Sequence, residues 1–473
     1  MANIIQQDPL YDTMPVGQPI IFTISNTSIV QTYFNVKFVA EVYISHTTPP
    51  NMSATTDLVG TFKTTPNNAG VGIFDFSAVV ENHVKSDNKP SISVYKTVLG
   101  DEAPIHLIDT FSPNDNALAF MSVKFKIEGS LTATGIPSVL PNETTPTATR
   151  YEIYNAYLKH TDKLKIWQDS FGYDNSKFSP SIVPITAVNT NKFLTNAPTT
   201  QYANVEDYGT VALFNQSAQV EYVKFNYYTS SDVLISTENV LPYITATSIS
   251  QSKYRLIYLG CFPANLQNWS TTFDSALTSG LSYYTIAAYD SLDKSLTQDY
   301  TININCFKAV TEGEKTSVSS SKIKGYEPIR LAWLNQWGVW DYYTFIMKSS
   351  KTLSTKGSTY TQLEGTWNES TFKLNGYRGG KKAFRVNATE KIKMNTDFVN
   401  ESESEWFEEL INSPEVYILE GFQFDNAFAM LNTYVTPVRL TTSSYTRKTV
   451  ANDKLMQYTF EVEKSKTLRT QSI

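Results

Sequence analysis

The chain has 473 residues, of which 41% are hydrophobic and 13% aromatic, and it carries a formal net charge of −6 without a basic tract. This length predicts two to four domains, and the hydrophobic content excludes wholesale disorder. The charge balance argues against nucleic acid or an anionic membrane as the main partner, and no apolar run reaches the ~20 residues of a membrane span. The N-terminal segment lacks a charged region followed by an apolar core, so we expect no signal peptide and synthesis in the cytosol.

The composition favours strands over helices. Tyr and Phe number 29 and 26, and Ser, Thr and Asn dominate the polar residues, as is typical of strands and turns. We therefore predict a mainly β, multi-domain protein with immunoglobulin-like β-sandwich domains and a C-terminal β domain that carries one short helix. Only Cys261 and Cys306 are present, which indicates small buried thiols rather than a disulfide framework.

Residues 1–145 read as an N-terminal β-sandwich. Between Phe34 and Ile44, apolar and polar residues alternate with the period of two that a half-buried strand requires. Further strands are expected at 20–24, 72–76, 92–98 and 119–127, and a short helix at 79–84. About seven short strands at this spacing indicate an immunoglobulin-like sandwich.

A middle β domain is predicted at 150–310, between two linkers rich in Ser and Thr. The first linker covers 130–149 and the second covers 311–324. The strands expected in this domain lie near 150–158, 210–214, 220–228, 254–259 and 283–289.

The C-terminal β domain is predicted at 325–473 and opens with an aromatic hairpin. The apolar runs 329–334 and 339–347 flank a short link that ends in Gly338, and three of the seven tryptophans fall within this stretch. Both faces of its strands are apolar, so we expect the hairpin to be covered on two sides. The second cover is either a helix of the same domain or a neighbouring subunit.

One helix is predicted at 401–412. Asn400 or Ser402 can cap it, and Pro414 ends it. Its apolar face, with Trp406 and Leu410, is expected to pack on the hairpin. Strands should follow at 415–419, 433–441 and 456–463.

The chain shows no catalytic or metal-binding pattern. Its four histidines are scattered at 46, 83, 106 and 160, and neither a nucleophile elbow nor a phosphate-binding glycine loop is present. Asp207, Asp290 and Asp293 could be carboxylates of a glycosidase, but carboxylates in turns that follow strands are far more common. We therefore expect a non-enzymatic protein without a cofactor or metal.

The segment 377–385 is the most basic part of the chain. Arg378, Lys381, Lys382 and Arg385 surround Gly379 and Gly380, an arrangement that suits an anion site, a glycine-tipped hairpin with solvated charges, or a contact with an acidic patch on a neighbouring protomer. The solvated hairpin is the favoured interpretation.

The clustered aromatic residues of the hairpin also allow three interpretations. They can form a core, a subunit interface or a carbohydrate platform, and core packing is the most common role of such residues. If the helix covers only part of the hairpin, its tip is the first candidate for a subunit contact. The complete set of candidate interface residues is Trp337, Trp340, Tyr342, Arg378, Lys381, Lys382 and Arg385.

The run 330–345, Arg-Leu-Ala-Trp-Leu-Asn-Gln-Trp-Gly-Val-Trp-Asp-Tyr-Tyr-Thr-Phe, resembles a segment of virion structural proteins of tailed phages, especially phages of Bacteroidota. Stretches at 34–44 with 72–76, 193–198, 406–417, 435–441 and the last strand are similar to the same group. The resemblance implies a building block of a tail, neck or baseplate that is assembled in the host cytoplasm, and it transfers no active-site residues.

We therefore expect a structural component of a tailed-phage virion that forms a homo-oligomeric ring or sleeve and binds other virion proteins. The alternative is a carbohydrate-binding, receptor-binding or capsid-decorating protein with immunoglobulin-like domains, for which a host-surface glycan would be the ligand and Trp337 or Tyr342 the contact. A tail-associated glycosidase is a third and less favoured class.

Overall fold

The computed structural model describes residues 4–9, 13–46, 48–53, 55–86, 104–114, 116–140, 147–159, 193–214, 220–240, 256–304, 309–312, 315–318, 327–419, 435–446, 456–466 and 469–472. These residues form a mainly β protein in two compact units. Unit 1 contains Met1–Asn305 and Leu334–Asp341, and unit 2 contains Cys306–Trp333, Tyr342–Gly421 and Asn432–Ile473.

The first part of unit 1 is a sandwich of two sheets. One sheet has the order β1-β3-β6, and the other has the order β2-β10-β8-β4-β5 with β9 beside β8. The strands are β1 (Ile4–Gln7), β2 (Thr13–Pro15), β3 (Ile21–Ser25), β4 (Phe34–Ser45), β5 (Leu58–Thr64), β6 (Val71–Asp75), β8 (Leu118–Ser130), β9 (Ser138–Val139) and β10 (Thr147–Tyr154). The helices α1 (Thr27–Thr32) and α2 (Ser77–Val80) connect them.

The core of this sandwich lies between the two sheets. Phe22 of β3 and Phe74 of β6 contact Phe125 of β8, with ring centroids 5.8 and 5.9 Å apart. The alternation along β4 places Phe38, Ala40 and Val42 in the same core, as the sequence predicted, because successive side chains of a strand point to opposite faces.

The second part of unit 1 consists of two further sheets. The order of one is β11-β17-β16-β13-β14, and that of the other is β12-β15-β7. The strands are β7 (Phe111–Pro113), β11 (Thr200–Ala203), β12 (Thr210–Phe214), β13 (Tyr222–Thr229), β14 (Leu234–Val240), β15 (Leu256–Gly260), β16 (Leu281–Tyr289) and β17 (Tyr300–Ile304). Two helices that the sequence did not predict, α3 (Pro263–Gln267) and α4 (Thr271–Thr278), follow β15.

Strand pairing moves the boundary that was predicted at 145–150. Strand β10 pairs with β8 and β2, so residues 147–154 complete the first sandwich instead of opening a middle domain. Conversely, β7 leaves the N-terminal segment and pairs with β15. The proposed linker at 130–149 contains β9 and the start of β10, because both strands pair with β8.

Unit 2 is built on one eight-stranded antiparallel sheet. Its order is β21-β20-β24-β25-β26-β23-β22, with β27 also beside β23. The strands are β20 (Ile329–Leu334), β21 (Trp340–Phe345), β22 (Ser350–Gln362), β23 (Gly380–Asn395), β24 (Val416–Leu419), β25 (Val435–Leu440), β26 (Thr459–Lys464) and β27 (Arg469–Ser472). A separate pair, β18 (Ala309–Glu312) and β19 (Lys315–Val318), overlaps the start of the predicted second linker.

Helix α5 (Glu401–Asn412) matches its predicted bounds and covers the aromatic hairpin. It starts with a capping box, in which the Asn400 side chain accepts a hydrogen bond from the Glu403 amide and the Glu403 side chain accepts one from the Asn400 amide. The Trp406 ring lies 4.8 Å from Trp333 of β20, and Phe407 lies 4.9 Å from Tyr343 of β21. The predicted helical cover is therefore confirmed for Trp406.

Other sequence predictions have mixed outcomes. Met456, Tyr458, Phe460 and Val462 are all buried, as predicted for the last part of the chain. Phe34 was placed on the buried face of β4, yet it is 51% exposed because it stands at the first position of that strand. The strand predicted at 92–98 lies outside the described residues.

Candidate interaction surface

The tip of the aromatic hairpin is built by Asn335. Its side-chain oxygen accepts hydrogen bonds from the amides of Trp337 (3.0 Å) and Val339 (3.2 Å), and its amide nitrogen donates to the Leu194 carbonyl (3.0 Å). Gly338 closes the turn with φ +73°, a conformation that glycine adopts without the strain of a Cβ. The turn glycine predicted from sequence is thus in its expected role.

This tip is buried. The amide of Tyr157 donates to the Gln336 carbonyl (2.8 Å), and the hydroxyl of Thr195 donates to the Asp341 carboxylate (2.6 Å). Residues Leu334–Asp341 accordingly belong to unit 1, although the strands of the hairpin belong largely to unit 2.

Three of the seven candidate interface residues must be reassigned for this reason. Trp337, Trp340 and Tyr342 are 4%, 2% and 3% exposed. The Trp340 ring packs edge-on against His106 at 4.8 Å, and the Tyr342 ring lies 5.2 Å from the Arg330 guanidinium. These side chains act as core residues, and their burial leaves little area for a subunit contact or a glycan.

The four basic candidates lie on a different feature, a long β-hairpin that we call the arm (residues 350–395). Strand β22 pairs with β23 from Ser350–Lys393 to Gln362–Gly380, and the loop 363–379 joins the two strands. Arg378 lies in this loop, whereas Lys381, Lys382 and Arg385 lie at the start of β23. Gly379 and Gly380 have φ +98° and +79° and turn the loop into the strand.

The distal part of the arm exposes large apolar side chains to solvent. Exposed fractions of 54% to 76% are found for Leu363, Trp367, Phe372, Leu374, Tyr377 and Phe384. Exposed apolar residues scattered singly are ordinary, but here six lie within 22 consecutive residues and two of them, Trp367 and Phe372, are in contact. Clustered exposed apolar residues are typical of interaction sites.

The loop of the arm is held by its own hydrogen bonds. The Thr366 hydroxyl donates to the Thr371 carbonyl and accepts from the Lys373 amide, both at 2.8 Å, and Thr366 is 3% exposed. The Trp367 indole donates to the Glu364 carbonyl (2.7 Å), and its ring contacts Phe372 edge-on at 5.6 Å. The exposed rings are therefore held in place before any partner arrives, which lowers the entropic cost of binding.

The same part of the arm is positively charged. Residues 356–385 contain six basic and two acidic residues, a net charge of +4, while the whole chain carries −6, so the remainder carries −10. Among the described residues, none of these six basic side chains forms an ion pair. The Arg385 guanidinium donates to the Asn387 side chain (3.1 Å), and Arg378 lies 5.9 Å from the Tyr377 ring.

The backbone of the arm has an open edge. Strand β22 is the last strand of its sheet, and β23 meets β26 and β27 only from Arg385 onward. The distal arm is thus a two-stranded ribbon, which by itself is marginally stable in water.

The carboxylates considered for glycosidase chemistry have structural contacts. Asp290 accepts hydrogen bonds from the amides of Leu292 and Lys294, both at 2.9 Å, and closes a turn. Asp293 pairs with Lys224, and Asp207 accepts from the Asn204 amide (2.8 Å). Asp290 and Asp293 thus act in a turn, as the sequence favoured.

The described residues form neither a metal site nor a membrane-spanning helix. No group of three or more His, Cys, Asp or Glu side chains in the described residues is arranged to hold a metal ion. No helix in these ranges has both the length and the apolar character needed to cross a bilayer. Cys261 is buried, and Cys306 and His160 lie outside the described residues.

Comparisons with known proteins identify no family. No protein-family model matches the chain, and no curated protein matches it. Among solved structures, trypsin-activated alpha-2-macroglobulin from Escherichia coli is similar at 6% identity and a TM-score of 0.12, over 100% of this chain and 37% of that one. The chain thus spans little more than a third of that structure, and a similarity of this size carries no argument.

Proposed function

We propose that the chain is a non-enzymatic structural component of a tailed-phage virion, in the tail, neck or baseplate, which assembles into a homo-oligomeric ring or sleeve and binds other virion proteins. The observation that carries this proposal is the arm, an ordered β-ribbon with exposed aromatic rings and unpaired basic side chains at its end. The resemblance of residues 330–345 to phage virion proteins supplies the biological setting.

Charge favours another copy of this chain as the partner of the arm. The distal arm carries +4, and the rest of each copy carries −10. Opposite charges on two partners speed their encounter and fix their register, and in a homo-oligomer the acidic surface is present in equal number with the arm.

The apolar residues of the arm add affinity that charge alone does not provide. Trp367 is 65% exposed and rigidly held, so a partner pocket that covers it removes a large apolar area from water. The open edge of β22 offers a second mode of contact, since an unpaired strand edge can accept a strand of a neighbour. Both features are closed when symmetric copies form a ring.

The proposal is tested with two arm variants of the full chain. One reverses three charges (Arg378→Glu, Lys381→Glu and Lys382→Glu), and the other removes two rings (Trp367→Ala and Phe372→Ala). The wild-type chain should form an oligomer by size exclusion with light scattering. We expect the ring deletion to weaken assembly roughly 30-fold or more, because a hot-spot residue contributes about 2 kcal/mol or more.

The matched control reverses three exposed lysines outside the arm, Lys37→Glu, Lys85→Glu and Lys294→Glu, which gives the same change in net charge. This control should assemble like the wild-type chain. A wild-type chain that stays monomeric at tens of micromolar, or a control that dissociates as far as the arm variants, would remove the arm from assembly. The virion assignment has its own test, detection of the chain by mass spectrometry in purified particles of the phage that encodes it.

A further inference from the structure

The outward face of the sheet β11-β17-β16-β13-β14 carries a second aromatic surface, which we call the tyrosine face. Its Tyr202 is exposed, and its other four tyrosines are half-buried. The opposite face of this sheet is buried, with Phe225, Tyr227, Tyr284 and Ile286 in the core and Phe273 of α4 5.6 Å from Tyr227. The intervening residues therefore point to solvent, because side chains alternate along a strand. The tyrosine face comprises Tyr202, Tyr222, Lys224, Asn226, Tyr228, Thr237, Tyr283, Thr285, Tyr289 and Asn303.

Two tyrosine pairs stand at the two ends of β13. Tyr222 lies opposite Tyr289 with the rings stacked at 5.7 Å and 3°, and Tyr228 lies opposite Tyr283 with the rings stacked at 5.0 Å and 12°. The pairs stand six positions apart along the strand, which corresponds to about 20 Å. Next to the second pair, Tyr202 on the edge strand β11 is 60% exposed and pairs in register with Asn303.

A row of uncharged hydrogen-bonding groups lies between the pairs. Asn226 stands beside Thr237 of β14 and Thr285 of β16. The Thr237 hydroxyl donates to the Asn226 side-chain oxygen (3.0 Å), and the Asn226 side-chain nitrogen donates to the Thr285 hydroxyl (3.4 Å). These groups retain further donor and acceptor capacity, since an amide and two hydroxyls form more than two hydrogen bonds in total.

The charged groups beside the tyrosine face are one lysine and two carboxylates. Lys224 pairs with Asp293 and lies 4.2 Å from the Tyr289 ring centroid. The Tyr222 hydroxyl donates to the same carboxylate, and the Tyr283 hydroxyl donates to Asp232 at 2.8 Å. These contacts fix the rings and leave the surface without an excess of positive charge.

We infer that the tyrosine face binds an uncharged oligosaccharide. The C–H faces of pyranose rings pack on tyrosine rings, and sugar hydroxyls exchange hydrogen bonds with amide and hydroxyl groups such as those of the central row. A surface without excess positive charge does not attract nucleic acid or an acidic polymer, whereas a neutral ligand needs no such attraction. The fixed ring positions reduce what binding costs in side-chain entropy.

This inference is independent of the proposed role in assembly. The tyrosine face lies in unit 1 and the arm in unit 2, and the two surfaces differ in charge. It also replaces the buried Trp337 and Tyr342 as the site of glycan recognition. The ligand would be a glycan on the surface of the host cell or a polysaccharide around it.

The test applies the full chain to an array of uncharged and acidic glycans and measures the strongest uncharged ligand by calorimetry. Tyr228→Ala and Tyr283→Ala should each weaken binding at least tenfold, and the matched control Tyr377→Ala, an exposed tyrosine on the arm, should leave the dissociation constant unchanged. Asn226→Ala keeps every ring and should also weaken binding. It serves as the second variant if loss of a stacked pair disturbs the fold.

Three results would overturn the inference. The array could return no uncharged ligand, or only acidic ones. The variants Tyr228→Ala, Tyr283→Ala and Asn226→Ala could bind like Tyr377→Ala. Finally, Tyr283→Ala could change the oligomeric mass without changing glycan binding, in which case the tyrosine face is a protein contact.

Discussion

Gly338 is the residue whose replacement most directly tests the packing of the hairpin tip. A Cβ added there would lie 1.4 Å from the Asn155 carbonyl oxygen and 2.4 Å from its carbon. The Gly338 carbonyl also accepts hydrogen bonds from the hydroxyls of Ser86 and Tyr258, so two hydroxyl groups fix the position of this carbonyl. We predict that Gly338→Ala strongly destabilises the contact between the tip and Asn155, the residue that follows β10.

Two contributions determine the magnitude. A residue with a Cβ at φ +73° costs about 1–2 kcal/mol relative to glycine. Forcing a methyl group into a packed backbone costs about 1–3 kcal/mol more, because the neighbouring chain must move. The expected loss is therefore about 2–5 kcal/mol. Alanine also restricts the unfolded chain, and this effect offsets about 0.4–1 kcal/mol of the lost stability at any glycine. The offset cancels when Gly338→Ala is compared with a second glycine-to-alanine variant.

Gly280→Ala is that control. Gly280 has φ +87°, but nothing lies within 4 Å of its added Cβ, so only the conformational cost of about 1–2 kcal/mol applies. Hydrogen exchange gives the local free energy of opening, in the segments around 151–159 and 334–341 for Gly338→Ala and in the segment around 280 for Gly280→Ala. Equal losses in the two variants would refute the close approach of Gly338 to Asn155.

Two further predictions concern a helix start and a buried acid. Asn400→Ala removes the capping box of α5 and should lower the free energy of unfolding of unit 2 by about 1 kcal/mol, measured in urea. The control Asn412→Ala, at the exposed last position of the helix, should have little effect. Equal effects of the two variants would contradict the capping role. Burial raises the pKa of Asp109 from 3.8 to about 7, although the hydrogen bond from Asn268 opposes the shift. The folded chain then holds a proton that the unfolded chain releases, so stability falls as pH rises from about 4 to 7 and is level above that range. Asp109→Asn should flatten this decline of the urea midpoint, and an unchanged pH profile would contradict the buried acid.

The sequence predicted those elements of the fold whose burial is one-sided or complete. The alternation of β4 and the i, i+4 spacing of Trp406 and Leu410 record which side of each element faces the core, and both were read correctly. The domain boundary at 145–150 was missed because the alternation of residues along β10 does not show which set of sheets the strand joins. Pairing of β10 with β8 depends on contacts far apart in sequence, which a local pattern does not record.

The candidate surface was predicted in part. The basic residues of 378–385 were recognised from their charge. Lys381, Lys382 and Arg385 lie on β23 and Arg378 lies in the loop before it, but Gly379 and Gly380 stand where the loop meets the strand and not at the tip of a hairpin. The burial of Trp337 and Trp340 could not be predicted from the sequence. An aromatic turn has the same local sequence whether it faces solvent or packs among Leu194, Tyr157 and Asn155. The tyrosine face was missed because Tyr is as suited to the buried side of a strand as to the wet side.

The arm went unrecognised for a physical reason that makes it informative. Periodicity in a sequence reports burial within the chain itself, and strand β22 has no such period because nearly all of its residues are exposed. A long segment without hydrophobic periodicity is ordinarily assigned to a loop. Large apolar side chains are uncommon in loops because their exposure to water is unfavourable. Trp367, Phe372 and Leu374 break that expectation, and the hydrogen bonds around Thr366 hold their loop in order. An ordered segment that is apolar without being buried in its own chain is best explained by burial against another one.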